Sequence, residues 1–520
     1  MPLDGVVAYP PEFAARYRTR GYWKDQTLDQ VFSEIFDRYA DRTALLAGDQ
    51  RVTYRELSQR ATQFARNGRR LGIESLDRVI FHLPNIPEFV YLYFGLQKLG
   101  SIPILALAAH RRLELTHFAR LADATALVTT NDEVAAEVHA ELPDLPILRP
   151  SDFVAPSSDS LPDPGVVATD PCCFLLSGGT TGIPKLIPRT HNDYVYNSRA
   201  AAAVQDIEAG SVQLCVAPLA HNMPLACPGL QGFLLAGAAV VLASSPKPQD
   251  VLPLIPRHQI THIAAVPALY IRWLDDPEIS RHDLRSVRLL QSGGQRLQPE
   301  LRRRMAAAFP NAFVQENFGM SEGTLFFVRK SDPPEAQLET IGSPVSPDDE
   351  VRLIDEDGHD VADGEVGELA VRGPYTLRGY YRAPEHNARV FTPDGFYMSG
   401  DLMRKHWSGN YLVEGRIKDL VNRGGEKISA EEVENLILTH PAIRNVACVP
   451  VPDAVLGERM CACVILRRGS TLTLPELTEY LLEQGIAKFK LPERIEVMDD
   501  FPLSAFGKVS KKTLVERLSR

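Results

Sequence analysis

Nine residues, SGGTTGIPK at 177–185, carry three glycines, three hydroxyl side chains and a lysine directly behind the apolar run Cys172-Cys173-Phe174-Leu175-Leu176. The apolar run reads as a buried strand and the polar burst as the loop at its end. Gly178, Gly179 and Gly182 let backbone N–H groups approach a ligand closely, while Ser177, Thr180, Thr181 and Lys185 add hydroxyls and a positive charge. Such a set suits the gripping of phosphate. The spacing is not that of the Walker loop, because Lys185 follows Ile183-Pro184 instead of closing a Gly-Lys-Ser/Thr ending. A ligand-free glycine-threonine turn has the same composition, so the loop must be weighed with the rest of the chain.

The elements that would carry this loop alternate along the chain. RVTYRELSQRATQFARNGRRLG ends as an amphipathic helix, DRVIFHLPN is a strand with a turn, and EFVYLYFGLQKLGSIPILA is a helix running into another strand. ATALVTT, VQLCVAP, GLQGFLLAGAAVVLAS, ITHIAAVPAL and VRLLQSGG continue the succession. The fold class expected is α/β: a large N-terminal body of helix-covered sheets, with ligands at loops beyond strand ends. From about residue 340 to 417, short runs separated by Asp-Gly turns predict a β-rich subdomain. GRIKDLVNRGGEKISAEEVENLIL then predicts a strand, a Gly-Gly turn and a helix capped by Ser429, with Glu432 completing a capping box. The remainder, 418–520, is expected to be a small α+β domain.

The 520 residues exceed a single core and imply two or more domains. A hydrophobic share of 44% and a charged share of 23% are those of a globular protein. A net charge of −10 argues against nonspecific binding to nucleic acid or anionic membrane, so an anionic ligand must be held locally. The basic tail from Lys508 to Arg520 reads as a solvated helix. Seven cysteines without C-x-x-C spacing, several in apolar runs, predict buried reduced thiols in a cytoplasmic protein. The start MPLDGVVAYPPEF has no basic segment followed by an apolar one, hence no signal peptide is expected. The apolar stretch from Gly232 to Ala243 is too short to span a bilayer.

Four further stretches join the loop: APLAHNMPLACPG at 217–229, NFGMSEG at 317–323, YMSGDL at 397–402 with EGRIKDLVNRGGEKI at 414–428, and PLSAFGKVSKKTL at 502–514. In order and spacing, over nearly the whole chain, they resemble the adenylate-forming superfamily. KLIPRTHNDY, RGPYTLRGYY and NRGGEKISAEEVEN narrow the likeness to stand-alone aryl-acid adenylating enzymes, the salicylate and 2,3-dihydroxybenzoate AMP ligases of siderophore and nonribosomal peptide assembly. The resemblance implies two half-reactions: carboxylate plus MgATP gives acyl-AMP and pyrophosphate, and a thiol then takes the acyl group.

It also implies roles. Lys508 matches the lysine that bridges carboxylate and α-phosphate. Glu322 matches the Mg²⁺ carboxylate, with the Thr181 hydroxyl beside it. Asp401 and Arg416 match the ribose-holding pair. Gly294, Gln295, Asn317, Phe318 and Gly319 fall where adenine is enclosed. His221 lies where the family orients the substrate carboxylate, and no general base is needed for an acid already ionised at neutral pH. Lys418 occupies the hinge about which the C-terminal domain, 418–520, swings relative to 1–417.

For the acid, Asn222 stands where amino-acid-activating relatives place Asp, and a neutral amide does not repay the desolvation of an ammonium. Asn222 instead suits the hydroxyl ortho to the carboxylate. Cys227 and Leu325 stand where dihydroxybenzoate enzymes carry Ser and Val, which points to salicylate or a substituted salicylate. Met223 in place of an aromatic residue, and Asn317 in place of Val, leave 3-hydroxypicolinate, hydroxyanthranilate and 2,3-dihydroxybenzoate open. The expected acceptor is a holo aryl carrier protein, with coenzyme A as the alternative. A noncatalytic adenylate-binding protein would need a broken site, yet Lys508, Glu322, Asp401 and Arg416 are all present.

Overall fold

The computed structural model describes residues 3–177, 184–423, 426–453, 455–503 and 508–518. The run before the glycine loop is the strand Pro171–Leu176, buried at every position. A strand buried on both faces belongs inside a sheet. It pairs in parallel with Ile102–Ala106 through Ile104 and Phe174, and antiparallel with Leu186–Thr190. The six-stranded sheet is completed by Arg78–His82, Ala126–Thr129 and Ile147–Leu148.

A second, nine-stranded sheet runs in the order Ser343–Pro344, Gly323–Phe327, Phe313–Met320, Leu289–Gly293, His262–Ala265, Val212–Cys215, Ala239–Leu242, Thr43–Ala47, Gln50–Thr53. Between the sheets pack the helices Leu28–Arg38, Tyr54–Arg70, Pro87–Leu99 and His191–Val204. The helix Pro87–Leu99 buries almost its whole circumference, which a helix does only inside a core. One apolar cluster joins Phe32, Phe36 and Phe94 of the helices to Phe81, Leu175 and Val240 of both sheets. The strand ends that carry the loops are therefore fixed by a common core.

The β-rich subdomain is a four-stranded antiparallel sheet of Glu350–Ile354, Val366–Arg372, Tyr397–Lys405 and Tyr411–Arg416. Beyond it, Leu420–Arg423, Glu426–Ser429, Ile443–Asp453, Gly457–Leu466 and Arg494–Val497 form a five-stranded sheet with helices Ala430–Ile437, Leu474–Glu483 and Lys511–Leu518. This part has its own core around Val421, Val433, Ile437, Met460 and Leu477. It touches the larger body through polar pairs: Gln298 to Asn435 at 2.8 Å, Arg444 to Asp275 at 3.1 Å and Ser429 to the Glu414 carbonyl at 2.5 Å.

All seven cysteines are free and buried, as composition and spacing predict. Among the described residues no helix is long and apolar enough to cross a membrane. The Ser429 cap forms half of the expected box. Its hydroxyl accepts from the Glu432 N–H, but the Glu432 carboxylate turns to Lys490 at 2.6 and 2.7 Å, because a full charge outbids a neutral backbone donor.

Where the β-rich sheet meets the nine-stranded one, Asp349 is buried and its Oδ2 accepts from Tyr375 at 2.6 Å and from the Ser346 N–H at 3.2 Å. Burial pushes its carboxyl up to about 7, against the pull of the Tyr375 hydrogen bond. A carboxyl raised on folding favours its protonated form, so that contribution to stability is complete at acid pH and fades as pH rises through 7. Asp349→Asn is expected to raise the melting temperature at pH 8 and leave it nearly unchanged at pH 4. Melting curves across that range would contradict this reading if the gain were larger at the acid end.

Candidate active site

The neck of the glycine loop is closed by two hydrogen bonds, Ser177 N–H to the Lys185 carbonyl and Lys185 N–H to the Ser177 hydroxyl, both 2.9 Å. The strands Pro171–Leu176 and Leu186–Thr190 thus end at a pinned base. Gly178, Gly179, Thr180, Thr181 and Gly182 lie outside the described residues. The positive charge of Lys185 reaches His386, whose pKa it helps to lower after burial.

Glu322 follows the strand Phe313–Met320 at a sharp reversal, where Gly323 takes a φ of 116°. A side chain there would place Cβ 2.3 Å from the Tyr375 carbonyl, so only glycine fits. Glu322 is buried, and its Oε1 accepts from Tyr380 at 2.7 Å; Tyr380 in turn meets Tyr397 at 2.9 Å. Burial raises the Glu322 pKa, the Tyr380 bond opposes this, and the nearby charge of Asp401 adds to it. Asp401 and Arg416 are register partners on adjacent strands, with Arg416 Nε donating to Asp401 Oδ1 at 2.6 Å.

On the acid side, His221 precedes the short helix Asn222–Ala226. Burial, then the charges of Lys508 and His110, depress its pKa to about 3. The Asn222 amide oxygen accepts from Tyr194 at 3.1 Å and its Nδ2 donates to the Met320 carbonyl at 3.3 Å. Cys227 is buried with Leu325, Ala201, Phe327 and Tyr375, and its sulfur accepts from Asn197 at 3.6 Å. Met223 is half-buried in the first turn of the same helix.

Lys508 comes to this centre from the far end of the chain. Its Cε stands 2.9 Å, and its Nζ 3.5 Å, from where a Cβ on Gly294 would lie. A cleft of about 1340 Å³ opens here, lined among others by Gly294, Gln295, Phe318, Asp401, Arg416 and Lys508. Asn317 and Gly319 also reach its wall, whereas Asn222, Cys227 and Leu325 are buried beside it. Residues at the ends of the nine-stranded and four-stranded sheets and Lys508 of the C-terminal tail thereby meet at one cleft.

A family model described as AMP-binding enzyme matches residues 32–381, and one described as AMP-binding enzyme C-terminal domain matches residues 432–508. The chain belongs to the AMP-binding enzymes. It is 44% identical to Pyochelin synthase PchD of Pseudomonas aeruginosa (strain UCBPP-PA14), over 100% of this chain and 97% of that one. With 2,3-dihydroxybenzoate-AMP ligase of Bacillus subtilis (strain 168) it shares 42% identity over 99% of this chain and 98% of the relative. Among solved structures, ATP-bound MatB from Rhodopseudomonas palustris superposes with a TM-score of 0.85 at 26% identity, covering 95% of this chain and 99% of MatB. The apo form of that same protein gives 0.75 at 27% identity with the same coverage.

This AMP-binding enzyme also carries site residues that the sequence motifs did not single out. Arg189 is fully buried and donates to Asp193 at 2.9 Å, to the Ser321 carbonyl at 3.1 Å and to the Tyr375 carbonyl at 3.2 Å. Tyr380 and Tyr397 orient Glu322. Arg189, Asp193 and Tyr380 fall within KLIPRTHNDY and RGPYTLRGYY, so their stretches were visible although their roles were not.

With its pKa near 3, His221 is neutral throughout the physiological range. His221→Gln is expected to lower acid-dependent pyrophosphate exchange without moving the acid limb of its pH profile. A limb displaced by a full pH unit would mean that His221 titrates in the working range.

Proposed function

We propose that the chain activates an ortho-hydroxy aryl carboxylic acid, salicylate or a substituted salicylate, as its acyl-adenylate and then transfers the acyl group to the thiol of a holo aryl carrier protein. The observation that carries this reading is the convergence of Lys508 on Gly294 and His221, beside Asp401 and Arg416, in a chain closely similar to aryl-acid ligases. The resemblance to ATP-bound MatB, stronger than to the same protein without ligand, supports an arrangement competent for the first half-reaction.

In that half-reaction a carboxylate oxygen attacks the α-phosphorus of ATP and the bond to pyrophosphate breaks. Both partners are anionic, so neutralisation and positioning supply most of the rate. Lys508 holds the carboxylate and α-phosphate together. Ser177, Gly178, Gly179, Thr180, Thr181, Gly182 and Lys185 grip the phosphates. Asp401 accepts from the ribose hydroxyls, with Arg416 fixing its carboxylate, and Gly294, Gln295, Asn317, Phe318 and Gly319 enclose the adenine. Glu322 fits a divalent cation: a buried carboxylate beside Asp401, held by Tyr380 on one oxygen, is relieved by positive charge. Bound Mg²⁺ supplies charge neutralisation on the phosphates, with Glu322 and Thr181 as its protein ligands. Neutral His221 orients the acid, and Asn222, Met223, Cys227 and Leu325 shape its ring pocket. The second Nδ2 hydrogen of Asn222 serves the ortho hydroxyl, since the first is committed to Met320.

The second half-reaction needs the same cleft without Lys508 in it. We place the hinge at Lys418, dividing 1–417 from 418–520, and the polar contacts between the two parts are of a kind that separates without exposing an apolar core.

Pyrophosphate exchange across a panel of acids is expected to favour salicylate-type acids over fatty and α-amino acids, and Lys508→Ala to lower the exchange by about 10²–10³-fold. Stronger exchange with an α-amino acid, or full activity in the variant, would overturn the assignment. Mass spectrometry with coenzyme A against a holo aryl carrier protein identifies the acceptor. Lys418→Pro should slow thioester formation while sparing adenylation, and equal loss in both steps would remove the hinge from residue 418.

A further inference from the structure

The helix His191–Val204 has two working faces. Tyr194, Asn197 and Ala201 are buried in the body, while Tyr196, Arg199, Ala200 and Ala203, three and four positions apart, line a groove on the other side. The groove, about 710 Å³, shares no lining residue with the cleft. Its remaining walls include Tyr22 and Lys24, from the chain beyond the helix Pro11–Thr19, and Arg329, Lys330 and Val345, beside the strands Gly323–Phe327 and Ser343–Pro344.

In a chain of net charge −10 this groove is lined by four cations, Lys24, Arg199, Arg329 and Lys330, and by one acid, Asp206. Asp206 pairs with Lys330 at 3.1 Å. Neither arginine has a carboxylate within ion-pair reach among the described residues. Arg199 is half-buried, and among those residues nothing accepts from its guanidinium. Arg329 donates only to neutral oxygens: the Phe327, Ser343 and Pro344 carbonyls at 3.1, 3.0 and 2.6 Å, and the Ser343 hydroxyl. Burial lowers the pKa of both, opposed by Glu34 near Arg199 and first by Asp332 near Arg329. Those acids are engaged elsewhere. Glu34 accepts from Gln26 at 3.0 Å, and Asp332 from the Arg329 main-chain N–H at 2.8 Å and from Asn410 at 3.0 Å. Asp348 and Asp349, near Tyr196, are held by Arg16 and Tyr375.

Beside the two guanidinia lies an apolar wall. The rings of Tyr22 and Tyr196 have centroids 4.6 Å apart and planes inclined by 32°. Ser346 accepts from the Tyr196 hydroxyl at 2.8 Å, and Tyr196, Val204 and Val345 pack on the cluster of Ala201, Cys227 and Leu325. A half-buried cation without full hydration or counter-charge is relieved by an anion, and a guanidinium matches a carboxylate or phosphate two donors at a time. A bare inorganic ion would leave the tyrosines and valines unused, whereas a ring would cover them.

We propose that this groove is a second binding site, for an aromatic oxyanion: a flat ring bearing a carboxylate or phosphate, with the oxyanion on Arg199 and Arg329 and the ring against Tyr22 and Tyr196. Lys24 and Lys330 add attraction at the rim. The site stands apart from the cleft and does not depend on which acid the cleft takes.

Isothermal titration of the full chain with benzoate, phenyl phosphate and inorganic phosphate, at low salt to limit screening, reads the site. Comparing the native chain with Arg199→Ser separates the groove from the cleft, because Arg199 lines no part of the cleft. Benzoate or phenyl phosphate should bind the native chain with an affinity that falls about tenfold or more in Arg199→Ser, and by less in Lys24→Ser, while pyrophosphate exchange is unchanged. The tighter of the two probes identifies the oxyanion. Titrations that Arg199→Ser leaves unchanged overturn the proposal, and inorganic phosphate binding as tightly as phenyl phosphate overturns the aromatic class. Should Arg199→Ser fail to fold, native crystals soaked with each probe decide: density at Arg199 supports the site, and density in the cleft alone overturns it.

Discussion

The geometry of the site depends on one buried ion pair. Arg189, at the end of the strand Leu186–Thr190, faces Asp193 in the first turn of the next helix, and neither is more than 2% exposed. Removing both charges from water costs several kcal/mol per ion, and only full coordination offsets this. Arg189 also bonds the Ser321 and Tyr375 carbonyls and stacks 4.7 Å over the Tyr194 ring, while Asp193 accepts from both the Thr190 N–H and hydroxyl. Through Ser321 the guanidinium fixes the turn that carries Glu322. Through Tyr194 and Asn197 it fixes Asn222 and Cys227. The carboxylate expected to serve the metal and the floor expected to hold the acid are therefore positioned by the same cation.

The charges around the cleft follow from the chemistry of bringing two anions together. A chain of net charge −10 nevertheless collects Arg416 and Lys508 at the wall of one cleft. They come from different parts of the fold: Arg416 from the β-rich sheet, Lys508 from the C-terminal tail. A cation delivered by a separable domain can be withdrawn, which a cation on the central sheet cannot. That asymmetry suits a cleft required to serve two reactions.

Local patterns made much of this legible. The strand Pro171–Leu176, the helix Pro87–Leu99 and the β-rich stretch beyond residue 340 were readable because apolar periodicity and turn residues act over a few positions. Motif spacing brought Asp401, Arg416, Glu322 and Lys508 together on paper, and they approach one another in the fold. What stayed hidden was pairing over long separations. Nothing in the neighbourhood of Glu432 announces that Lys490 will claim its carboxylate, and Gln205, Gln291 and Gln315 look like ordinary polar residues until three elements bury them face to face. Arg189 and Asp193 stand four residues apart, yet a strand-to-helix junction in sequence does not reveal that both will be buried.

The two halves of the cleft differ in how they can discriminate. The side proposed for the nucleotide is the open cleft that carries Asp401, Arg416 and Lys508. The side proposed for the acid is buried and apolar, closed by Leu325, Cys227 and Phe327 and backed by the amide of Gln291. In a dry site each donor counts fully, because an unpaired one has no water to turn to. On the proposed function, selectivity among acids resides in the few polar groups on that side, Asn222 foremost, since the surrounding apolar floor distinguishes ring size but not ring chemistry.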